Sequence, residues 1–114
     1  MNESSEQPYT ILVIEDDPSY RGNIETILKM EGFRVRTATD GSSGLASLRE
    51  ELPDLILCDI MMPEMDGHAL FDIVKKERLF AELAFIYVHA LADRTELRRA
   101  MAAGVDDYLT KPVN

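Results

Sequence analysis

Cysteine is nearly absent from the sequence, and long apolar segments are absent altogether. The single cysteine, Cys58, cannot form an internal disulfide, and its place in an apolar run indicates an unreactive thiol in the core. No apolar segment approaches the roughly 20 residues needed to cross a bilayer, and the chain does not open with a signal-peptide pattern. These absences predict a cytoplasmic protein without a membrane partner.

Basic residues are scarce relative to acidic ones. The 12 lysines and arginines face 21 aspartates and glutamates, which gives a net charge of −9. A nucleic-acid-binding surface needs clustered basic side chains, so direct binding of nucleic acid is not expected. The acidic excess fits a site that attracts a cation, although an ordinary solvated acidic surface would give the same total.

Short apolar runs alternate with helical patterns along the chain. Residues 1–8 are predicted to be a disordered polar tail, and residues 9–114 are predicted to form one domain. Five strands are predicted, at residues 9–14, 33–38, 55–58, 84–88 and 105–109.

Four helices are predicted from apolar residues at helical spacing. They are marked by Tyr20, Ile24, Ile27 and Leu28; by Leu45, Leu48 and Leu52; by Leu70, Ile73 and Val74; and by Leu97, Ala100 and Met101. Gly32, Pro53 and Gly104 are predicted to end the first, second and fourth helix. His68, which opens the third helix, is expected to be solvated.

This alternation predicts an α/β fold in which helices cover both faces of a parallel sheet, with right-handed crossovers. In such sheets the functional crevice lies beyond the carboxyl ends of the strands. Almost every predicted strand has an ionisable group there: Glu15, Asp16 and Asp17 after the first, Asp59 after the third, His89 after the fourth and Lys111 after the fifth.

Carboxylates that converge at this edge would repel one another. Two of them about 5 Å apart repel by roughly 3 kcal/mol at an effective dielectric constant near 20, and one lysine could not offset several such pairs. Partial protonation or a bound divalent cation would make the arrangement tolerable, and Mg²⁺ suits oxygen ligands. Asp59 beside Mg²⁺ and Lys111 would be a nucleophile towards phosphorus, with Pro63 and Gly67 shaping the loop around it.

Three segments, ILVIEDDP, LILCDIMMPEMDG and GVDDYLTKPV, together resemble the receiver domain of bacterial two-component response regulators. Their order and spacing agree with that family over almost the whole chain from Tyr9. The resemblance implies a flavodoxin-like, doubly wound sheet of five parallel strands in the order 2-1-3-4-5. It also implies a phosphoprotein that signals through an aspartyl phosphate.

The resemblance assigns roles to individual residues. Asp59 is similar to the phosphoacceptor of the family, and Lys111 is similar to the lysine that contacts the phosphoryl group. Tyr108 matches the aromatic position that moves with the phosphorylation state. Four magnesium ligands are implied: the carboxylates of Glu15, Asp16 and Asp59 and the backbone carbonyl of Met61.

Two features depart from the family pattern. His89 stands where relatives usually have a threonine or serine that binds the phosphoryl group, and an imidazole can donate hydrogen bonds there but is bulkier. The fifth helix of relatives is missing from this chain, so the domain is expected to be truncated before it. An apolar sheet face left bare by that loss would favour a homodimer or a swapped element.

Two functions remain open. The first is a phosphorylation-operated signalling switch: a sensor histidine kinase or phosphotransfer protein donates a phosphoryl group to Asp59 in a Mg²⁺-dependent reaction. The surface of the fourth helix and fifth strand then changes for an output domain or partner protein. Such a domain catalyses only its own phosphorylation and dephosphorylation and is not a metabolic enzyme.

The second function is a pseudo-receiver scaffold that binds partners without phosphorylation-driven switching, because His89 replaces the usual hydroxyl residue. A haloacid-dehalogenase-type phosphatase also uses an aspartate nucleophile and Mg²⁺. It is disfavoured, because it needs a second acid where Met61 stands.

Overall fold

Five runs of extended backbone pair in parallel to form one sheet, with helices between them. The computed structural model describes residues 9–62, 64–90, 98, 101–104 and 106–111, with the backbone alone at residues 89–90 and 107–111. The strands are β1 (Thr10–Ile14), β2 (Arg34–Ala38), β3 (Leu55–Asp59), β4 (Ala84–Ala90) and β5 (Asp107–Lys111). The helices with defined bounds are α1 (Pro18–Met30), α2 (Gly41–Glu50) and α3 (Gly67–Lys76). The strand order, β2-β1-β3-β4-β5, confirms the predicted fold.

The central position of β1 sets the geometry of the acidic edge. This strand lies between β2 and β3 and is buried along its whole length, as is typical of parallel strands with both faces covered. Its last residue, Ile14, pairs with Ala38 of β2 and Cys58 of β3. Glu15 and Asp59, the next residues of the two chain segments, therefore lie side by side at the carboxyl edge of the sheet.

Two apolar clusters flank the sheet. The larger lies under α2 and α3 and includes Leu12, Ile14, Leu48, Ile56, Leu70, Phe71, Val74, Phe85 and Tyr87. The smaller lies under α1 and includes Ile11, Val13, Ile24, Leu57 and Val88. Each fully buried side chain of this size contributes about 1.5–3 kcal/mol to folding, so these layers fix the strands whose ends carry the acids.

The sequence contains signals for both ends of α1. Asp17 is the N-cap, and its side chain accepts hydrogen bonds from two backbone N–H groups of the first turn. Gly32, at a φ of +96°, follows the helix. Its N–H donates to the carbonyl of Lys29 at 3.0 Å, and the N–H of Phe33 donates to the carbonyl of Leu28 at 3.1 Å. These two bonds form a Schellman motif, which favours glycine at the positive φ and confirms the predicted cap.

A capping box begins α2. The Asp40 side chain accepts a hydrogen bond from the backbone N–H of Ser43 at 2.8 Å, and the Ser43 hydroxyl lies 2.8 Å from the same carboxylate oxygen. Both hydrogen bonds lower the pKa of Asp40, and the bond from the backbone N–H has the larger effect. The helix ends at Glu50, so Leu52 lies beyond it and is exposed, contrary to the predicted helical stripe.

Three strands end later than the sequence predicts, and Asp59 is the last residue of β3 instead of following it. Parallel pairing continues from His89 to Thr110 and from Ala90 to Lys111. His89 and Lys111 therefore belong to β4 and β5 and do not follow them. Val105, the predicted start of the fifth strand, lies outside the described residues.

The region of the predicted fourth helix is described in part. Arg98 and residues 101–103 are helical, and Gly104 has a φ of +95°, which agrees with its predicted place at the helix end. Leu97 and Ala100 lie outside the described residues, as do residues 1–8. Within the described part of the chain, no helix combines the length and the apolar character that crossing a membrane requires.

Candidate metal and phosphoacceptor site

Three carboxylates meet where β1 and β3 end. One oxygen each from Glu15, Asp16 and Asp59 lies within 4.8 Å of the other two. Glu15 and Asp59 are buried, at 1% and 4% exposure, whereas Asp16 is exposed. The predicted convergence of carboxylates at this edge is therefore present, with one side open to solvent.

Hydrogen bonds from the backbone hold Glu15 in place. Its N–H donates to the carbonyl of Ala38 at 3.1 Å, which extends the ladder between β1 and β2 by one residue. Its Oε2 accepts a hydrogen bond from the N–H of Asp17 at 3.1 Å. The guanidinium Nη1 of Arg21, on α1, donates to the Glu15 carbonyl at 3.0 Å. Both the main chain and the carboxylate of Glu15 are thus oriented by the start of α1.

Asp59 is positioned by the loop that follows it. The N–H of Met61 donates to Asp59 Oδ1 at 3.3 Å. The N–H of Ile60 lies 3.4 Å from the carbonyl of Val88, at the end of the ladder between β3 and β4. The side chain of Met61 is 57% exposed, so the loop directs the backbone of this residue towards Asp59 and its thioether towards solvent.

The loop turns back on itself between Ile60 and Gly67. Glu64 has a φ of +66°, in the left-handed region that a non-glycine residue occupies at some cost. The N–H of Gly67 then donates to the carbonyl of Ile60 at 2.7 Å and closes the loop. Asp66 caps α3 by accepting a hydrogen bond from the N–H of Ala69 at 2.9 Å. Pro63, which was predicted to shape this loop, lies outside the described residues.

Gly67 leaves no room for a side chain. A Cβ at this position would lie 2.7 Å from the carbonyl oxygen of Asp59 and 2.8 Å from the Cα of Ile60. Both are backbone atoms and cannot move aside as a flexible side chain could. The predicted role of Gly67 in shaping the loop therefore has a steric basis.

The trio fits a small divalent cation. Mg²⁺ binds oxygen at about 2.0–2.1 Å, so two ligands on opposite sides of the ion are about 4.2 Å apart. The oxygens of Glu15, Asp16 and Asp59 lie close to that span, and the exposed Asp16 side chain can adjust. Without a cation, each pair at this separation repels by roughly 3 kcal/mol at an effective dielectric constant near 20.

The field of these acids reaches the neighbouring thiol. Burial, and then the charges of Asp59, Glu15 and Asp66, raise the pKa of Cys58 well above its usual value. Cys58 is fully buried, and its thiol lies 3.3 Å from the carbonyl oxygen of Asp59. The thiol therefore stays protonated and unreactive, as its place in the apolar run of β3 indicated.

Three predicted site residues are placed by their backbone. Lys111 pairs with Ala90, and Tyr108 pairs with Tyr87, so both lie on β5 beside β4. His89 occupies β4, two residues from the position that pairs with Cys58. The side chains of His89, Tyr108 and Lys111 lie outside the described atoms, so their contacts with a phosphoryl group stay predictions.

Two residues near the site had no predicted role. His68 was expected to be solvated but is buried, at 5% exposure. Its ring packs edge-on against Tyr87, with the centroids 5.4 Å apart. The helical spacing does contain the signal, because His68 lies three residues before the buried Phe71 on α3.

Comparison with known proteins agrees with this geometry. The sequence is 39% identical over 104 residues to the transcriptional regulatory protein AfsQ1 of Streptomyces coelicolor, which covers 91% of this chain and 45% of that protein. The chain thus spans less than half the length of this curated relative.

Solved structures give the same result. A CheY-like response regulator receiver domain protein from Methanospirillum hungatei aligns with a TM-score of 0.84 at 32% identity, over 95% of this chain and 85% of that one. The chemotaxis response regulator CheY4 of Vibrio cholerae aligns with a TM-score of 0.87 at 25% identity, over 95% and 90% of the two chains. Residues 11–114 match the response regulator receiver domain family, and the chain belongs to that family.

Proposed function

We propose that this receiver domain is a phosphorylation-operated signalling switch in which Asp59 accepts a phosphoryl group in a Mg²⁺-dependent reaction. The observation that carries the proposal is the convergence of Glu15, Asp16 and Asp59 within 4.8 Å at the carboxyl edge of the sheet. Buried carboxylates repel one another strongly, so this cluster fits a site for a divalent cation better than a structural role.

All three acids bind the cation in the proposed reaction, and Asp59 is also the nucleophile. Glu15 and Asp16 hold the cation, together with Asp59 and the backbone carbonyl of Met61. A bound Mg²⁺ supplies positive charge that neutralises the phosphoryl oxygens. One oxygen of Asp59 forms a bond to phosphorus while the bond from phosphorus to the donor breaks, and the donor atom keeps that electron pair.

Lys111 is the proposed second positive charge at the phosphoryl group. Its backbone lies on β5, beside the carboxyl end of β4, and the lysine side chain is long enough to reach across a neighbouring strand. Phosphorylation of Asp59 makes the local charge more negative by about one unit. His89 and Tyr108, on the same two strands, are the proposed positions that pass this change to the surface of the fourth helix and fifth strand.

The proposed partners follow from the family. A sensor histidine kinase or phosphotransfer protein supplies the phosphoryl group, and an output domain or partner protein reads the changed surface. AfsQ1 is called a transcriptional regulatory protein, so control of transcription by a further domain is one such output. The domain itself is proposed to act as a cytoplasmic signalling module rather than a metabolic enzyme, and a homodimer is a proposed signalling state.

The test is incubation with Mg²⁺ and acetyl phosphate, followed by intact-mass measurement. The wild-type domain should gain one phosphoryl group, and the gain should require Mg²⁺. The variant Asp59→Asn is the matched control, because it removes one carboxylate oxygen with almost no change in volume. Absence of an Asp59-dependent modification in the wild-type domain would contradict the proposal.

The scaffold alternative rests on His89. Beryllofluoride mimics the phosphoryl group, so two-dimensional amide NMR with this reagent detects whether β4 and β5 respond. A switch should show shifts that spread from Asp59 to β5. If the wild-type domain binds beryllofluoride without such shifts and His89→Thr restores them, the pseudo-receiver scaffold is the better description.

A further inference from the structure

A buried polar pair lies behind the loop that carries Asp59. The hydroxyl of Tyr87, on β4, lies 3.0 Å from the carbonyl oxygen of Gly67 and 3.4 Å from Nδ1 of His68. Tyr87 is fully buried, and His68 is 5% exposed. The surrounding side chains, among them Phe71 and Phe85, are apolar.

The direction of these hydrogen bonds follows from the number of protons. A tyrosine hydroxyl has one proton to donate, and a backbone carbonyl can only accept. The shorter contact therefore assigns the Tyr87 proton to the Gly67 carbonyl. Nδ1 of His68 then donates to the oxygen of Tyr87, which selects the tautomer of His68 that carries its proton on Nδ1.

Gly67 is consequently held by contacts from β3, the loop and β4. It packs against the backbone of Asp59 and Ile60, and its N–H donates to the Ile60 carbonyl at 2.7 Å. The Tyr87 ring lies against the same face of Gly67, with Cε1 at 3.0 Å from the position that a Cβ would take. The end of the loop at residues 60–67 is therefore fixed against β4.

Tyr87 provides a rigid support for this contact. Its backbone pairs with Cys58, the residue before Asp59. Its ring packs against the ring of Phe85, with the centroids 5.4 Å apart at an angle of 82°. Tyr87 is thus anchored both to β3 and to the aromatic core, so it can hold Gly67 in a fixed position.

We infer that Tyr87 and His68 are positioning residues for the cation site: they hold Gly67, and through it the loop whose Met61 N–H orients the Asp59 carboxylate. Packing alone does not require these residue types. A phenylalanine would fill the space of Tyr87, and burying a hydroxyl and an imidazole among aromatic side chains is unfavourable unless they are hydrogen-bonded. The inference rests on the proposed function, because it concerns the same cation site.

The test is the variant Tyr87→Phe, which removes one hydroxyl and keeps the ring. Outer groups that orient metal ligands typically change metal affinity by about 10-fold or more. The dissociation constant of Mg²⁺, measured by calorimetric titration, should therefore rise by about 10-fold. Without Mg²⁺, amide hydrogen exchange of Gly67 should become faster, because its bond to Ile60 opens more often.

Tyr9→Phe is the matched control. Tyr9 is 48% exposed and packs against Phe33. It immediately precedes β1 and so lies at the amino ends of the strands, opposite the acidic edge. It loses the same hydroxyl group, so its Mg²⁺ affinity and Gly67 exchange should equal those of the wild-type domain.

A second pair of variants tests His68 without relying on the fold of Tyr87→Phe. His68→Asn places an amide N–H close to the position of Nδ1, whereas His68→Leu cannot donate. The asparagine variant should keep the Mg²⁺ affinity and the slow amide exchange of Gly67 that the wild-type domain shows. In the leucine variant, Mg²⁺ should bind more weakly and Gly67 should exchange faster. This rescue by a donor distinguishes positioning from space filling.

The possible outcomes separate the two proposals. If the wild-type domain binds no Mg²⁺, the proposed function fails, while Gly67 exchange still reports whether the pair holds the loop. If the wild-type domain binds Mg²⁺ and Tyr87→Phe matches it in affinity and Gly67 exchange, the inference is overturned. Equal behaviour of His68→Asn and His68→Leu would also overturn it.

Discussion

Gly67 contacts both the backbone of Asp59, at the acidic edge, and the ring of Tyr87, in the apolar core. Its missing side chain allows the start of α3 to touch the backbone of Asp59 and Ile60. Gly67 does not have a positive φ, unlike Gly32 and Gly104. The requirement for glycine at this position is therefore steric and does not come from the backbone angle. A larger residue would have to push α3 away from β3.

Gly67→Ala should therefore destabilise the domain. An added Cβ at 2.7–2.8 Å from two backbone atoms cannot be accommodated by a rotamer change, and overpacking of this kind costs about 1–3 kcal/mol. The free energy of unfolding from urea titration measures the loss. An unchanged free energy of unfolding would show that the loop can shift without cost.

Gly22→Ala is the control for this substitution. Gly22 lies inside α1, and an added Cβ would meet no atom within 4 Å. Alanine is favoured over glycine in a helix interior by about 0.5–1 kcal/mol. The same chemical change should thus raise the stability at Gly22 and lower it at Gly67.

Residue-level prediction succeeded where a general rule applied. The rule that parallel sheets place functional groups at their carboxyl edge predicts, from the sequence alone, that Glu15, Asp16 and Asp59 lie together. His68 was misplaced, because its polarity was weighed above its spacing from the apolar residues of α3. The contact of His68 with Tyr87 joins two segments 19 residues apart, and no local pattern reports such a pairing.

At the scale of secondary-structure elements, two aspartates fix where strands begin to pair. The Asp54 side chain accepts a hydrogen bond from the N–H of Thr10 at 2.7 Å, and the Asp54 N–H donates to the Thr10 carbonyl at 2.8 Å. Asp106 does the same for Phe85, at 2.7 Å and 3.0 Å. Each aspartate lies just before a strand and satisfies both backbone groups of a residue in the neighbouring strand.

Asp54→Ala should weaken the start of the pairing between β1 and β3. The N–H of Thr10, a residue at 6% exposure, would lose its carboxylate partner, and a buried donor left unsatisfied costs about 1–3 kcal/mol. Urea titration measures the change, and amide exchange at Thr10 locates it. Asp72→Ala removes a carboxylate from an exposed position on α3 and should leave both measurements near the wild-type values.

The order and type of the elements could be predicted from the sequence, whereas several boundaries could not. Hydrophobic periodicity marks the parts of a strand or helix that face the core. The extension of β4 to Ala90 and of β5 to Lys111 depends on hydrogen bonds between the two backbones, which are insensitive to side-chain type. The position of Leu52 beyond the end of α2 has a different cause, since an exposed leucine gives the same local pattern as a buried one.

At the scale of the whole molecule, the net charge of −9 does not explain the site by itself. Many of the acids are exposed and solvated, and several form surface ion pairs such as Glu51 with Arg34 and Glu25 with Lys29, which contribute little to stability. The charge that matters is concentrated in Glu15, Asp16 and Asp59, where the burial of Glu15 and Asp59 reduces screening by water and salt.

Neutralising one acid of the trio should therefore stabilise the metal-free domain. In Asp59→Asn, the two repulsions between the carboxylate of this residue and those of Glu15 and Asp16 are removed. With EDTA present, we expect the free energy of unfolding to rise by about 1–3 kcal/mol. Asp72→Asn removes one negative charge as well, but at an exposed position of α3, so it should leave the free energy of unfolding unchanged if the local cluster is the cause.

Adding Mg²⁺ should then stabilise the wild-type domain more than Asp59→Asn. A ligand at ten times its dissociation constant stabilises the folded state by about 1.4 kcal/mol, and the wild-type domain should gain this amount. Asp59→Asn should gain less, because it has lost a ligand and much of the negative charge that attracts the ion. Stabilisation by Mg²⁺ that is equal in the wild-type domain, Asp59→Asn and Asp72→Asn would place the ion elsewhere on the acidic surface. If Asp59→Asn reduces the stabilisation by Mg²⁺ and Asp72→Asn does not, the ion binds at the carboxyl edge of the sheet and not to the acidic surface in general.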